Sequence, residues 1–372
     1  MDKREFIDRL NKSKRIVIKI GSAVIVNNGK IDENILSNIV DNVAELIRNF
    51  SKQVVIVSSG AVASGMSSMN LKKKPDNIVH QQALAAIGQP ELINIYKNLF
   101  SKHNITVSQV LITIDDIQNR RRFINAKNSL TTLVKWKTVP IVNENDTVVI
   151  KELRFGDNDN LASYVVNLVE ADMLIMLTNV DGVYDKSPDN EDANIVEFID
   201  KDFNSDYLEG VSDLGSGGIK SKVEAGLRVA QLGKISVIIN GKTKDAIKNL
   251  FKNGNLKKTV FEPYDDIINS KQSWIGNCSP NGVIIIDEGA IASIKNNKSL
   301  LASGIKKVYG VFGRGDVVNI ESENGDVIAK GVANYDAYEI EKIKGRHSSK
   351  IVEILGYKYS NDVVHINNMV IV

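Results

Sequence analysis

Four short clusters in this chain combine charge, amide and glycine in patterns suited to work on phosphate. The first, Lys19-Ile20-Gly21-Ser22, closes the apolar run Arg15–Ile20. A lysine inside such a run is costly unless an anion answers it, and the glycine lets a phosphate approach the backbone. A lysine reaching from a strand end into water is the plainer alternative. The second is Ser58-Ser59-Gly60-Ala61 followed by Gly65. Small residues between a strand and a helix leave N–H groups free for an anion, as they also do in an ordinary tight turn. The third pairs Asn143-Glu144-Asn145-Asp146 with Gly156-Asp157-Asn158-Asp159-Asn160. Capping a helix at Leu161 uses one or two of these residues. The remainder suits an amino acid, with carboxylates for its ammonium and amides for its carboxylate, or a Mg²⁺ oriented through water. The fourth, Gly215-Ser216-Gly217-Gly218-Ile219-Lys220-Ser221-Lys222, runs into a predicted helix. It reads as a phosphate cradle or as a flexible connection. It lacks Walker A spacing, and Gly241-Lys242-Thr243 fails that test because residue 236 is Ser.

Elimination favours the same chemistry. His80, His103, His347 and His365 are scattered and Cys278 is the one cysteine, so neither metal-ligand spacing nor a Cys/His nucleophile pair is on offer. No G-x-S-x-G elbow is present. Phosphoryl transfer needs only positioning and charge neutralisation. A hydroxyl acceptor would call for a general base. A carboxylate acceptor, with an ordinary pKa of about 4.3, is already ionised at neutral pH and needs shielding instead. Lys19 and Lys222, with Mg²⁺ and helix N-termini, would supply it, which requires the two ammonium groups to converge from distant parts of the chain. The expectation is an ATP-dependent kinase acting on a carboxylate of a small amino acid.

Positioning these clusters falls to an α/β scaffold. Strands are predicted at Arg15–Ile20, Val54–Val57, Val107–Leu111, Thr138–Val142, Met173–Leu177 and Ile235–Ile239. Helices are predicted over 35–47, 90–102, 115–135, 161–169 and 219–232. The strands are continuous apolar runs, as in a parallel sheet buried on both faces, and the clusters fall beyond their carboxyl ends, where open α/β sheets bind ligands. After Phe261 the character changes. A polar linker, 263–275, separates a catalytic domain, 1–262, from a β-rich module, 276–372, of short strands broken by glycines. Met1–Ser13 precedes the first strand and reads as a frayed helix without a function.

Composition narrows the partners. With 372 residues the chain suits two domains. A net charge of +2 gives no reason to expect nucleic acid or an anionic membrane. Runs such as Val283–Ile286 are too short to span a bilayer. The N-terminus lacks a signal-peptide core, and a single cysteine fits a reducing compartment, so a cytoplasmic location is expected. Residues 276–372 carry 11 Lys and Arg against 11 Asp and Glu. Such a neutral module is not expected to bind RNA, which usually takes a basic face.

In this order the clusters resemble the amino acid kinase family. The resemblance runs from about Lys14 to the end and rests on Val17–Ser22, Val55–Gly65, Gln82–Gln89, Arg122–Asn125, Val139–Asp146, Phe155–Leu161, Leu177–Asp185 and Gly215–Lys222. The C-terminal module resembles a PUA domain through Ile286–Ala290, Ser299–Leu301, Gly304-Ile305 and Ile354–Tyr357. The resemblance implies a three-layer αβα sandwich with a mainly parallel sheet, plus a small β-rich PUA barrel. It implies phosphorylation of the side-chain carboxylate of L-glutamate to L-glutamyl 5-phosphate, the first step of proline biosynthesis, with ATP and Mg²⁺. By position, Lys19 and Lys222 would be catalytic, and Ser59, Asp146 and Asn158 would bind glutamate. Thr178 and Asn179 would lie near the base and ribose. Ser216, Gly217, Gly218, Ile219, Lys220, Ser221 and Lys222 would form the ATP loop, with Lys222 on the transferring phosphate. No direct protein ligand for Mg²⁺ is assigned. The family further implies proline as feedback inhibitor, a homo-oligomer (dimer or tetramer) and a hand-off of the product to glutamyl phosphate reductase. Asn179 stands where an acidic residue is common. Kinases of the same fold acting on aspartate, acetylglutamate or a nucleoside monophosphate are the nearest alternatives, and the Asn143–Asp146 and Gly156–Asn160 clusters with the C-terminal module argue against them.

Overall fold

A computed structural model describes residues 1–149, 158–186, 190, 192–203, 218–253, 256–265 and 270–371. The chain divides into two compact units, 1–117 with 121–267 and 118–120 with 268–372.

Eight strands form the sheet of the first unit: β1 (Arg15–Ile20), β2 (Gln53–Ser58), β3 (Val107–Ile112), β4 (Val139–Glu144), β5 (Met173–Thr178), β6 (Phe198–Ile199), β7 (Ile235–Asn240) and β8 (Thr259–Phe261). Their order is β3-β4-β2-β1-β5-β7-β8-β6. Neighbours from β3 to β7 run parallel, and β8 is antiparallel to β7. The six strands foreseen from the sequence are the six long ones. The two missed, β6 and β8, have two and three residues, too few to show a pattern.

Side-chain alternation along β1 sorts its residues onto two faces. Ile16, Ile18 and Ile20 join one core with Ile56, Ile141, Ile175 and Val237, covered by helices Glu33–Asn49, Ile78–Ser101 and Ala246–Asn253. Each such fully buried aliphatic side chain contributes roughly 1.5–3 kcal/mol. Lys19, one residue out of step, is sent to the opposite face, which carries helices Asn158–Leu168 and Ile219–Gln231. The strand pattern therefore decides which helices the lysine meets.

Three local expectations change. Met1–Ser13 is a docked helix, Lys3–Lys12, capped by Asp2, whose carboxylate accepts from Glu5 N at 2.8 Å. Phe6 and Leu10, spaced one turn apart, are buried. The Lys52 ammonium closes the other end on the carbonyls of Leu10 (3.2 Å), Asn11 (2.9 Å) and Ser13 (2.5 Å). The predicted helix 90–102 starts twelve residues earlier and runs over Ile78–Ser101 with Pro90 inside. The proline loses one backbone bond, but Leu84, Ala85, Leu92 and Tyr96 are buried on either side of it and hold the helix together. The predicted helix 115–135 is two helices, Ile114–Gln118 and Arg120–Lys135.

In the second unit, strands β9 (Gly282–Ile286), β10 (Ile305–Gly310), β11 (Val317–Glu321), β12 (Val327–Val332) and β13 (Met369–Ile371) form a sheet in the order β10-β9-β11-β12-β13. Ile284, Ile286, Ile294, Ile320, Ala329, Tyr335 and Ile340 fill its core. A capping box of Asp336 and Glu339 starts helix Ala337–Ile343. Within the expected linker 263–275, residues 266–269 lie outside the described residues. The remainder includes the start of helix Ser270–Asn277, where Trp274 and Ile275 are buried.

Candidate active site

The switch in strand order sits at β1, with β2 on one side and β5 on the other. Crevices for ligands open at such points. The register places Ile20 opposite Ser58 of β2 and Leu177 of β5, so the turns after three strands meet. There a cavity of about 600 Å³ is lined by Lys19, Gly21, Ser59, Gly60, Asn143, Glu144, Asp146, Asn158, Thr178, Asn179 and Lys222, among others.

Its charged centre is a carboxylate between two ammonium groups. Lys19 Nζ lies 2.7 Å from Asp159 Oδ1, and Lys222 Nζ lies 3.1 Å from Asp159 Oδ2. Asp159 is in the first turn of helix Asn158–Leu168, where the helix dipole favours an anion, and its side chain is wholly buried. Burial by itself raises a carboxyl pKa; here Lys19 and Lys222 outweigh it and hold Asp159 below its ordinary value. Two unit charges about 5 Å apart interact by roughly 3 kcal/mol at an effective dielectric of about 20. Without Asp159 a repulsion of that order would drive the lysines apart. With it, the trio carries one net positive charge, ready for a phosphoryl group. Gly21 keeps the approach open, since a Cβ there would stand 3.3 Å from Lys19 Nζ.

Amides and hydroxyls line the same cavity. Asn158 Nδ2 donates to Ser59 Oγ at 2.8 Å. Behind Ser59, Ser58 Oγ donates to the Ser59 carbonyl at 2.9 Å, which leaves the buried Tyr96 hydroxyl to donate to Ser58 Oγ at 2.7 Å. Gly60 holds a left-handed φ of 116° at the start of helix Ala61–Ser68, a conformation glycine adopts without strain.

The structure thus brings Lys19, Ser59, Asp146, Asn158, Thr178, Asn179 and Lys222 to one cavity. Gly218 is the N-cap of helix Ile219–Gln231, and Ile219, Lys220 and Ser221 form its first turn. None of these four lines the cavity. Gly215, Ser216, Gly217, Gly156 and Asp157 lie outside the described residues. Sequence reading missed the role of Asp159, which it assigned only to a polar cluster; the signal was a carboxylate in a helix first turn, with two lysines on the same face seeking an anion. It also missed Lys74, an exposed lysine that lines the cavity and follows Lys72 and Lys73 in a loop without a motif.

Residues 14–240 match the amino acid kinase family, and residues 282–355 match the PUA domain. This chain belongs to the amino acid kinase family. A Marinomonas sp. (strain MWYL1) protein named glutamate 5-kinase is 40% identical, covering 99% of this chain and 100% of its own. A Thermoanaerobacter sp. (strain X514) protein of the same name is 42% identical over 96% of this chain and 97% of its own. A third, from Caldanaerobacter subterraneus subsp. tengcongensis, is 40% identical over 96% and 97%.

Proposed function

We propose that this chain transfers the terminal phosphoryl group of ATP to the side-chain carboxylate of L-glutamate, giving L-glutamyl 5-phosphate and ADP, the first step of proline biosynthesis. The observation that carries the reading is the Lys19–Asp159–Lys222 trio, beside a cavity whose lining also offers Ser59, Asp146 and Asn158. One carboxylate oxygen of glutamate attacks the γ-phosphorus as the bond to the β–γ bridging oxygen breaks. ADP leaves with that electron pair, and no proton moves. The chain's task is to let two anions meet. Lys19 and Lys222 neutralise the phosphoryl oxygens, most strongly where charge spreads over them in flight. Asp146 and Asn158 answer the α-ammonium, and Ser59 holds the acceptor in line. Thr178, which ends β5, and Asn179 border the nucleotide end, and Ser216–Lys222 bind ATP, with Lys222 on the transferring phosphate.

Among the described residues no group of three or more His, Cys, Asp or Glu could hold a metal ion. Mg²⁺ keeps much of its water shell and binds through substrate phosphates, so the donor set fits an ion arriving on ATP, and Glu144 lines the cavity that its waters would enter. When bound, it adds positive charge to the phosphates. Proline acts as feedback inhibitor at or over the glutamate site, the chain works in the cytoplasm as a dimer or tetramer, and the labile product is handed to glutamyl phosphate reductase. No described helix is long and apolar enough to cross a membrane.

The test is incubation with ATP, Mg²⁺ and hydroxylamine, which traps acyl phosphates. Hydroxamate from glutamate, suppressed by proline, is expected. Hydroxamate from aspartate or acetylglutamate but not glutamate would remove the assignment.

A further inference from the structure

Behind the acceptor wall three side-chain amides stand in line. Asn143 Nδ2 donates to Gln89 Oε1 at 2.9 Å. Asn143 Oδ1 accepts from the Glu144 backbone N–H at 2.9 Å and from Asn158 Nδ2 at 3.0 Å. Asn158 Nδ2 also approaches Ser59 Oγ at 2.8 Å and the Ser58 carbonyl at 3.2 Å. Gln89 and Asn143 are 7% and 3% exposed, so water cannot stand in for a lost partner.

Two backbone groups set the sense of this ladder, and Gln89 holds it in place: Gln89 Oε1 is the acceptor of the buried Asn143 Nδ2, and without it that N–H goes unanswered and Asn143 turns off Asn158 in search of another acceptor. The Glu144 N–H can only donate and the Ser58 carbonyl can only accept. The oxygen of Asn143 must therefore face Glu144 and its nitrogen must face Gln89. Gln89 must present its oxygen, and Asn158 must turn its nitrogen inward. Reversing any one amide sets donor against donor or acceptor against acceptor in a buried place. At the cavity, the atom left to a ligand is Asn158 Oδ1, which has no protein partner among the described residues. Gln89 bears a cost for this: its buried Nε2 has no hydrogen-bond partner. An apolar side chain of the same length would avoid that cost, so the oxygen is what the arrangement uses.

We propose that Gln89, which does not itself line the cavity, is a positioning residue that locks Asn158 to offer an oxygen and so makes the acceptor site read a cation, the α-ammonium of an amino acid. Asp146, lining the same cavity, adds the matching charge. The inference rests on the substrate reading above and refines it: glutarate, with the same two carboxylates and no ammonium, is the analogue the ladder rejects.

The experiment compares wild type, Gln89→Met and Gln89→Glu with glutamate, glutarate and ATP as varied substrates. Gln89→Met is expected to raise KM for glutamate by about tenfold, the worth of roughly one buried hydrogen bond. Its preference for glutamate over glutarate should shrink by a similar factor, with KM for ATP within about twofold. Gln89→Glu keeps the accepting oxygen and should keep the preference. A Gln89→Met enzyme with unchanged glutamate KM and preference overturns the inference, as does a Gln89→Glu enzyme that loses the preference while its thermal midpoint holds; if Gln89→Met does not fold, Gln89→Glu decides alone. Failure of the substrate reading shows differently, as a wild type inactive toward glutamate. In that event side-chain NMR decides the ladder: the NH₂ protons of Asn143 and Asn158 should exchange slowly in wild type and about tenfold faster in Gln89→Met, and equal exchange overturns it.

Discussion

The two units bury different things. The first encloses Lys19, Lys52, Glu144 and Asp159 together with Gln89, Asn143, Asn167 and several hydroxyls, while the second, among the described residues, buries no charged side chain, and its buried polar groups include Ser322, the Tyr335 hydroxyl and the Cys278 thiol. Polar burial costs free energy unless every group is answered, so a chain that concentrates it in one unit is using that unit for chemistry. The second unit is stabilised by aliphatic packing in the usual way. The contrast teaches where to look for function when motifs are silent: at the buried charges whose answers are one another.

Four experiments sharpen or break this contrast. The largest effect is expected from Lys222→Ala, which should lower kcat about 10²- to 10³-fold, the loss typical of a preorganised electrostatic donor, while KM for glutamate moves far less. A mild, equal change in both would break the assignment of charge to catalysis. Ile320→Ala in the second unit should cost about 2–5 kcal/mol of that unit's stability, seen as a lower unfolding midpoint with kcat intact. A drop in kcat as deep as that of Lys222→Ala would erase the distinction between the units. Asp159→Asn should cost about tenfold to a hundredfold in kcat by leaving two ammonium groups without their shared anion, and it carries a pH signature. Because the native pKa of Asp159 lies below the ordinary 3.8, its stabilisation is present in full above that value and is lost as pH falls through the native pKa. The gap in thermal midpoint between wild type and Asp159→Asn should therefore close in acid below about pH 4, and a gap that stays constant would contradict a charged bridge. The smallest effect belongs to Cys278. Burial pushes its thiol pKa up to about 12 and its side chain donates to the Gln118 carbonyl at 3.1 Å. At neutral pH the thiolate fraction is about 10⁻⁵, so a thiol reagent should leave the folded chain unmodified and label it only in denaturant. Rapid labelling of the native protein would show that the second unit's interior is not closed.

Much of this was legible in the sequence because the informative residues break a pattern. Lys19 stands out in an apolar strand, and the carboxyl-end clusters contrast with the runs before them. The long strands and the parallel sheet follow from runs that are apolar without alternation. Asp159 was visible but not distinguishable from Asp157 or Asn160, since the choice among neighbouring polar residues is made by the angular position of a helix first turn. Lys74 gave no signal, since it follows two other lysines, and Gln89 showed only as the last residue of a stretch that resembles the family, since inside a helix a buried amide and a surface amide look alike. Pro90 misled for a physical reason, because a single lost backbone bond is outweighed by the packing on either side. The docking of the N-terminal helix was hidden by its charges, which occupy the outer face while Phe6 and Leu10 alone mark the inner one.

Helices Ala61–Ser68 and Ile78–Ser101 cross with almost nothing between them. A Cβ on Gly88 would fall 1.9 Å from the Ala61 carbonyl oxygen, and one on Gly65 would fall 1.9 Å from that of Leu84. One of these helices begins just after Ser59 and the other carries Gln89 next to Gly88. The gauge of the acceptor site is thus set by the thickness of two bare backbones. A single methyl at position 88 would act as a wedge, prising the serine rim from the amide ladder without touching any atom that meets the substrate.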